Sequence, residues 1–352
     1  MIRNYCLSLI NYLRRHKIRT TIGGVLLLWY IFCLPSPLFK EGYATVVESQ
    51  EGKLLGGKIA PDGQWRFPER DTVPYKLREA ILAFEDAHFY YHWGVNPIST
   101  AKALLTNLRH GHTVRGGSTL TQQVIRLARK NKARTYGEKL IEAIWATRLE
   151  FRYSKEKILA LYASHAPFGG NVIGADMAAW RYFGVSLEQL SWAEACTLAV
   201  LPNAPGLIFP GHNQNALKKK RDFLLEKLLK NHTIDKTTYE LSLEEPLVER
   251  PHELPNIAPH LVERIARTTP NKRQVTTIDY YLQERVQEVI AKYYRHYKRF
   301  EVHNLCTLVV DVQSREVLAY VGNSPTDEQH HKDVNIIHRP RSTGSVLKPF
   351  LY

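Results

Sequence analysis

An uncharged, largely apolar stretch near the N-terminus limits what this chain can fold into. Between Arg19 and Lys40 there is no charged residue, and the stretch includes the run IGGVLLLWYIFCL. About 20 apolar residues span a bilayer as a helix, so residues 20–40 are predicted to form a transmembrane anchor. The basic residues that precede it are Arg14, Arg15, Lys17 and Arg19.

This positive flank predicts the orientation of the anchor. By the positive-inside bias, residues 1–19 form a cytoplasmic tail and the rest of the chain lies outside the cytoplasm. A cleaved signal peptide is the alternative, but its apolar core would be shorter, and CLPSPLF is a poor cleavage site. The sequence therefore predicts a single-pass protein of the cytoplasmic (inner) membrane whose residues beyond about Lys40 are extracytoplasmic, or periplasmic.

The charge balance points to a polyanionic partner. The chain has 48 Lys+Arg against 34 Asp+Glu, a formal net charge of +14. Nucleic acid, an anionic membrane surface and a phosphate-bearing substrate would each suit such a charge. An extracytoplasmic position argues against nucleic acid, and a lipid surface or a phosphorylated substrate remains.

The pattern of apolar residues divides the chain after the anchor. From Tyr75 to about Asn231 the spacing predicts amphipathic helices, for example Leu77, Ile81 and Phe84 on one stripe. The proline-rich run EEPLVERPHELPNIAP indicates a linker. Beyond it, a strand and helix are followed by two strands in CTLVVDVQSREVLAYVG. The distant Cys196 and Cys306 are interpreted as free thiols, and a bridge between them has no support in their spacing.

The segment RGGSTLTQQ, residues 115–123, is a small polar cradle. Its simplest interpretation is a loop before an N-capped helix, since Thr119 and Gln122 have capping-box spacing and Leu120, Val124 and Leu127 form an apolar stripe. That interpretation leaves both glycines and the paired glutamines unexplained. Basic residues follow the cradle: Arg126, Arg129, Lys130, Lys132, Arg134 and Lys139. They form either a solvated face or, with backbone N–H groups at a helix start, a diphosphate site.

Carboxylates and histidines flank this cradle in the sequence. Glu85 lies beside Phe84 at the edge of an apolar stripe, where desolvation would raise its pKa toward that of a general base; an exposed helix end is the alternative. His88 and His92 have a metal-ligand spacing, but no third ligand is nearby. Glu142 follows Glu138 by one helical turn, and paired carboxylates suit chemistry at an anomeric carbon.

An ordered set of motifs gives these features a specific meaning. The chain contains, in order, EDAHFYYHWGVNP, GGSTLTQQ, EKLIEAIWATRLE, SKEKILALYASHAPFGGN and KKRDFLL. This order resembles the five blocks of the peptidoglycan glycosyltransferase family, the lysozyme-like domain of class A penicillin-binding proteins. The resemblance runs from about Trp65 to Leu229, and APFGG and SVLKPFLY are similar to the 1C type within the family.

The resemblance implies roles for individual residues. Glu85 matches the general base and Glu142 the second acidic residue of a glycosyltransferase that joins lipid II to a growing glycan strand, with inversion and release of undecaprenyl diphosphate. The positions that match the substrate and diphosphate site are Lys102, Gly117, Ser118, Thr119, Gln122, Gln123, Arg126, Arg134 and Lys139. The family often uses a divalent cation (Mg²⁺ or Mn²⁺); the sequence leaves this open, as it does a cell-wall-synthesis complex as partner. No protein-held metal site is predicted.

The C-terminal segment RPRSTGSVLKPFLY resembles the start of a transpeptidase, with Ser345 and Lys348 as its SxxK motif. The further motifs of that site do not follow in this chain, so no cross-linking activity is expected. The predicted fold is mainly α: a lysozyme-like domain at residues 41–240, a linker at 241–270, and the truncated start of an α/β penicillin-binding transpeptidase domain at 271–352.

Several positions depart from the family pattern. Glu138 replaces an arginine, Lys102 replaces an arginine, Asn96 replaces an aspartate, and Ala160 and Ser164 replace a glutamate and an asparagine. Glu138 would bring negative charge toward the diphosphate, so reduced or specialised turnover is expected. A lysozyme-like or lytic enzyme and a non-catalytic wall-assembly scaffold remain the alternative functions.

Overall fold

The computed structural model describes residues 16–110, 117–132, 135–340, 342 and 344–350. Most of the regular structure is helical. The α-helices are α1 (Lys17–Phe32), α2 (Tyr75–Glu85), α3 (Pro97–His110), α4 (Leu120–Ala128), α5 (Tyr136–Arg152), α6 (Lys155–His165), α7 (Ala175–Phe183), α8 (Trp192–Val200), α9 (Gln214–Lys230), α10 (Lys236–Glu244), α11 (Pro259–Thr268) and α12 (Tyr280–Tyr297).

The strands are short, as are the 3₁₀ helices. The strands are β1 (Thr45–Glu48), β2 (Leu54–Lys58), β3 (Trp65–Arg66), β4 (Pro167–Gly169), β5 (Val172–Ile173), β6 (Arg273–Val275), β7 (Thr307–Val310) and β8 (Val317–Val321). The 3₁₀ helices are Phe89–Tyr91, Leu187–Gln189, Leu201–Asn203, Lys298–Phe300, Glu328–His330 and Gly344–Phe350.

The chain forms two compact units, neither of which is continuous in sequence. The first contains residues 1–41, 69–169 and 187–247, and the second contains residues 42–68, 170–186 and 248–352. The sequence-based domains follow chain order, whereas segments 42–68 and 170–186 belong to the unit with the C-terminal residues. The predicted linker at 241–270 includes α11.

The predicted anchor begins as helix α1, which has 16 residues and no buried side chain. Among the residues that the structure describes, none of the helices combines the length and the apolar character needed to cross a membrane. The C-terminal end of α1 is attached to α5. The Tyr30 hydroxyl lies 3.1 Å from Thr147 Oγ1, and Arg148 Nε donates to the Ile31 carbonyl at 3.2 Å.

Several helices of the first unit begin at polar side-chain caps. Thr119 and Gln122 form the predicted capping box at the start of α4, and Ser191 and Glu194 form another at the start of α8. Helix α2 buries Leu77 and Ile81 as predicted and packs against α8, which also contacts α9. Helix α4 packs against both α5 and α6.

A glycine controls how closely α5 approaches the rest of this unit. Gly94 has φ +83°, and a Cβ built there would lie 2.6 Å from the backbone carbonyl of Ala146. Ala146 is fully buried on α5, one turn after Glu142. Only glycine permits both this backbone conformation and this contact.

The second unit contains a sheet of order β2–β1–β6. Strand β1 pairs antiparallel with β2 and parallel with β6, which is why an early hairpin joins the C-terminal part of the chain. Its apolar core includes Val47, Leu55, Val262 and Tyr320. Strands β7 and β8 form a separate antiparallel pair, as the sequence predicts.

Replacement of Gly94 by alanine tests the close contact with α5. Gly94→Ala is expected to cost about 1 kcal/mol for the left-handed backbone and about 1–3 kcal/mol more for displacing α5. Gly63→Ala is the matched control, because Gly63 has φ +74° and nothing within 4 Å of a built Cβ. Urea unfolding measures both variants; equal losses of stability would contradict the proposed contact.

Candidate active site

Three side chains of the α4 segment donate hydrogen bonds to three glutamates. Gln123, Arg126 and Arg129 occur at three-residue intervals, so they follow one another along a face of the helix. Gln123 binds Glu85, Arg126 binds Glu142 and Arg129 binds Glu138. We refer to these three donors as the α4 donor row. The row collects carboxylates from α2 and α5 around α4.

Glu85 ends helix α2 and is partly buried. Gln123 Nε2 donates to Glu85 Oε2 at 2.7 Å. Burial raises the pKa of Glu85 above its usual range, and the neighbouring charge of Asp86 adds to this rise. The hydrogen bond from Gln123 and the positive charges of Lys220 and Arg126 oppose it. On balance the pKa of Glu85 is raised, so its carboxylate takes up a proton at a higher pH than an exposed glutamate does.

Lys220 on α9 is a cation beside Glu85 to which the sequence gave no role. Its ammonium donates to Asn203 Oδ1 at 2.9 Å. Burial lowers the pKa of Lys220, and the negative charge of Glu85 opposes the lowering. Lys220 belongs to the motif KKRDFLL, which was recognised only as a family block. That block was the one available signal, because residues 85 and 220 are far apart in the chain.

Glu142 is 4% exposed and is held by a two-pronged ion pair. Arg126 Nε donates to Oε1 at 2.9 Å, and Arg126 Nη2 donates to Oε2 at 2.8 Å. Arg126 Nη2 also lies 3.1 Å from Ser118 Oγ. This geometry fixes the plane of the guanidinium and joins α5 to the cradle.

Glu138 has a partner that the sequence did not reveal. Arg129 donates to Glu138 Oε1 through Nε and to Oε2 through Nη2, the latter at 2.9 Å. The Arg129 guanidinium also lies 4.5 Å from the ring centroid of Trp145. The hydrogen bond from Arg129 lowers the pKa of Glu138. The negative charge expected to face the diphosphate is therefore paired within the protein.

The cradle residues mostly build the start of α4. Thr119 Oγ1 donates to the Gly94 carbonyl at 2.6 Å, and the Thr119 N–H donates to Gln122 Oε1 at 2.9 Å. A Cβ on Gly117 would meet Ala103 Cβ at 2.9 Å, so this glycine allows close contact with α3. The capping interpretation therefore accounts for Thr119 and Gln122, whereas Ser118 and Gln123 contact the α4 donor row or its carboxylates.

Asp86 and His92 lie at the start of helix α4, next to the cradle. Asp86 Oδ2 accepts from the Leu120 N–H and lies within hydrogen-bonding distance of His92 Nε2, both at 3.0 Å. His92 and His88 flank the 3₁₀ helix Phe89–Tyr91, so they do not share the face of an α-helix. Within the described ranges, no group of three or more His, Cys, Asp or Glu residues is placed to hold a metal ion.

The remaining predicted residues lie further out or in the other unit. Lys102 on α3 and Lys139 on α5 are exposed, and Arg134 lies outside the described residues. Ser345 and Lys348 are exposed in the 3₁₀ helix Gly344–Phe350 of the second unit. Cys196 and Cys306 are free thiols.

Two of the departures from the family pattern have simple structural consequences. Asn96 Oδ1 accepts from the Ser99 N–H at 3.0 Å, a capping contact that an aspartate can also make. Ala160 is buried on α6, in a position that suits a small apolar side chain.

The Arg126–Glu142 pair is expected to be costly to break and less costly to replace as a whole. Arg126→Met leaves Glu142 buried without its cation, which we expect to lower the free energy of unfolding by about 3–5 kcal/mol. The double variant Arg126→Met with Glu142→Leu is expected to regain most of that loss, because no buried charge remains. Denaturant unfolding measures both; a double variant no more stable than Arg126→Met alone would refute this account.

Comparison with known proteins places this geometry in a family. Residues 56–229 match the Transglycosylase family. Penicillin-binding protein 1C of Escherichia coli is 35% identical over 90% of this chain and 41% of its own length. Penicillin-binding protein 1B of Vibrio cholerae is 28% identical over 86% of this chain and 41% of its own length.

Two further similarities are weaker or shorter. Penicillin-binding protein 1A of Aquifex aeolicus is 32% identical over 61% of this chain and 30% of its own length. The crystal structure of penicillin-binding protein 1A from Haemophilus influenzae is 18% identical, with a TM-score of 0.32, covering 73% of this chain and 30% of that one. The chain thus spans about two fifths of the first two relatives. Through residues 56–229, this chain belongs to the transglycosylase family, and its relatives include class A penicillin-binding proteins.

Proposed function

We propose that this protein is a peptidoglycan glycosyltransferase of cell-wall synthesis. Its substrates would be lipid II and the growing glycan strand, and undecaprenyl diphosphate would be released. The observation that carries the proposal is the α4 donor row, which brings the desolvated Glu85 and the Arg126–Glu142 pair to one helix. Adjacent turns of α4 thus hold the proposed base, Glu85 of α2, through Gln123 and present Arg126 as an anion-binding cation.

Glu85 is proposed to act as the general base. Its carboxylate accepts the proton of the acceptor sugar's 4-hydroxyl as that oxygen attacks the donor's anomeric carbon. The new C–O bond forms as the bond to the diphosphate oxygen breaks on the opposite face, so the configuration at that carbon inverts. The raised pKa of Glu85 suits this step, because a stronger base accepts the proton more readily.

Arg126 is proposed to bind the departing diphosphate. Its Nε and Nη2 are engaged by Glu142, while Nη1 makes no hydrogen bond within the described part of the chain. Glu142 therefore orients the guanidinium so that its remaining edge can donate to phosphate oxygens. Glu85 and Glu142 each already accept a hydrogen bond, and these residues do not by themselves form a metal site, so no step is assigned to a metal.

The membrane anchor is part of the same proposal. Helix α1 exposes Val25, Leu26, Leu27, Leu28 and Phe32, each more than half exposed. Such a face is unfavourable in water and favourable in lipid. The proposed anchor, residues 20–40, would lie in the cytoplasmic membrane, with residues 1–19 on its cytoplasmic side and the glycosyltransferase domain outside. A lipid-linked substrate would then approach from the same bilayer.

Incubation with lipid II tests the proposed reaction. The wild-type chain is expected to make glycan strands, and Glu85→Gln to lose at least about 100-fold of the rate, the usual contribution of a general base. Glu226→Gln, at an exposed ion pair on α9, is the matched control and should keep its activity. Release of soluble fragments from purified wall would instead indicate a lytic enzyme. Binding of lipid II without turnover, unaffected by Glu85→Gln, would indicate a scaffold.

The pH dependence tests the environment of Glu85. The rate should fall as the pH falls through the raised pKa of Glu85, because the protonated carboxyl cannot accept the acceptor's proton. Lys220→Met removes a charge that opposes the rise, so the acidic limb of the profile should move to higher pH. Lys220→Arg retains the charge and should leave the limb in place. A limb that moves to lower pH in Lys220→Met would contradict this assignment.

A further inference from the structure

The α4 donor row contains a second guanidinium, that of Arg129, which the sequence includes only in a general basic run and to which the family resemblance assigns no role. Arg129 follows Arg126 by one turn, and Glu138 precedes Glu142 by one turn on α5, so two parallel ion pairs join the helices. In both pairs the arginine uses Nε and Nη2 to bind the two carboxylate oxygens. The two guanidiniums are therefore held in the same way.

The matching geometry leaves the same edge available on each arginine. Within the described residues, Nη1 of Arg129 makes no hydrogen bond, as is also true of Arg126. The side chain of Arg129 is 14% exposed and that of Arg126 is 17% exposed, so neither is sealed from solvent. Trp145 lies over the Arg129 guanidinium and restricts its rotation further.

A carboxylate near an anion site normally weakens anion binding through like-charge repulsion. Here the Glu138 charge is engaged by Arg129 at two oxygens, and the pKa of Glu138 is lowered by that contact. A guanidinium that is already oriented loses little conformational entropy when it binds an anion. Glu138 can thus assist an anion by holding Arg129 in place.

We propose that Arg129 is a second diphosphate-binding residue, which extends the site of Arg126 by one helical turn, and that Glu138 is its positioning residue. One phosphoryl group would contact Nη1 of Arg126 and the other would contact Nη1 of Arg129. The family has an arginine at position 138, on α5. In this chain Arg129 of the α4 segment would supply that cation instead. The inference rests on the proposed function, since that function supplies the diphosphate.

Binding of inorganic diphosphate to the full chain, measured by calorimetry at fixed ionic strength, tests this inference. Arg129→Gln is expected to raise the dissociation constant about tenfold, the effect of losing one charge-assisted contact. Lys230→Gln also removes one positive charge, at an exposed pair on α9, and should leave the constant unchanged. An Arg129→Gln dissociation constant within about twofold of wild type would overturn the proposal.

The direction of the Glu138→Gln effect separates positioning from repulsion. If Glu138 positions Arg129, Glu138→Gln weakens diphosphate binding by about threefold, and it has no such effect in the Arg129→Gln background. If Glu138 repels the anion, the same substitution tightens binding, and the proposal is wrong.

Two further measurements test the role of Arg129 independently. Arg129→Lys retains the charge without the fork and should weaken binding less than Arg129→Gln; a value equal to wild type would overturn the role of the fork. Diphosphate binding that depends on Arg129 in a chain that makes no glycan would refute the proposed function and leave this site standing. Glycan synthesis with an unchanged KM in Arg129→Gln would refute this inference alone.

Discussion

The first unit depends on hydrogen bonds from one helix face to three carboxylates. A buried or half-buried carboxylate is costly unless donors replace the water it loses. The α4 donor row provides those donors from successive turns and thereby fixes α2 and α5 against α4. The capping box at Thr119 sets where α4 begins, and hence which residues occur along that row.

The identity of each donor determines what its carboxylate can do. Glu85 receives a hydrogen bond from the neutral amide of Gln123, which stabilises its charged form less than a guanidinium would, and its pKa stays raised. Glu142 and Glu138 receive guanidinium forks, which orient both partners. The donors of one helix therefore hold a carboxylate of raised pKa and two oriented guanidinium groups.

Local sequence patterns predicted the parts of this site that depend on neighbouring residues. The capping box of Thr119 and Gln122 and the buried stripe of α2 are as predicted, because both depend on spacings of three or four residues. The Arg129–Glu138 pair was missed, since its two residues belong to the segments of two different helices. Lys220 was missed for a similar reason, because only the packing of α9 brings it near Glu85.

Local sequence patterns also could not predict how the chain divides into two units. No local pattern in the sequence shows that β1 pairs with β6, more than 200 residues later. Parallel pairing leaves no turn motif in the sequence, unlike the β1–β2 hairpin with its glycines. Each unit combines separate stretches of the chain, which local sequence patterns do not reveal.

In the proposed enzyme, helix α5 would connect the candidate active site to the membrane anchor at a fixed separation. Glu142 lies near its beginning, while Thr147, Arg148 and Arg152 near its end contact the C-terminal end of α1 and the residues just after it. At 1.5 Å per residue, Glu142 and Thr147 are about 8 Å apart along the axis. An inserted or deleted residue between them would change this height and also rotate the carboxylate by about 100°. Under the proposed function and anchor, the spacing within α5 would thus set both the height above the bilayer at which a lipid-linked sugar binds and the side from which it approaches.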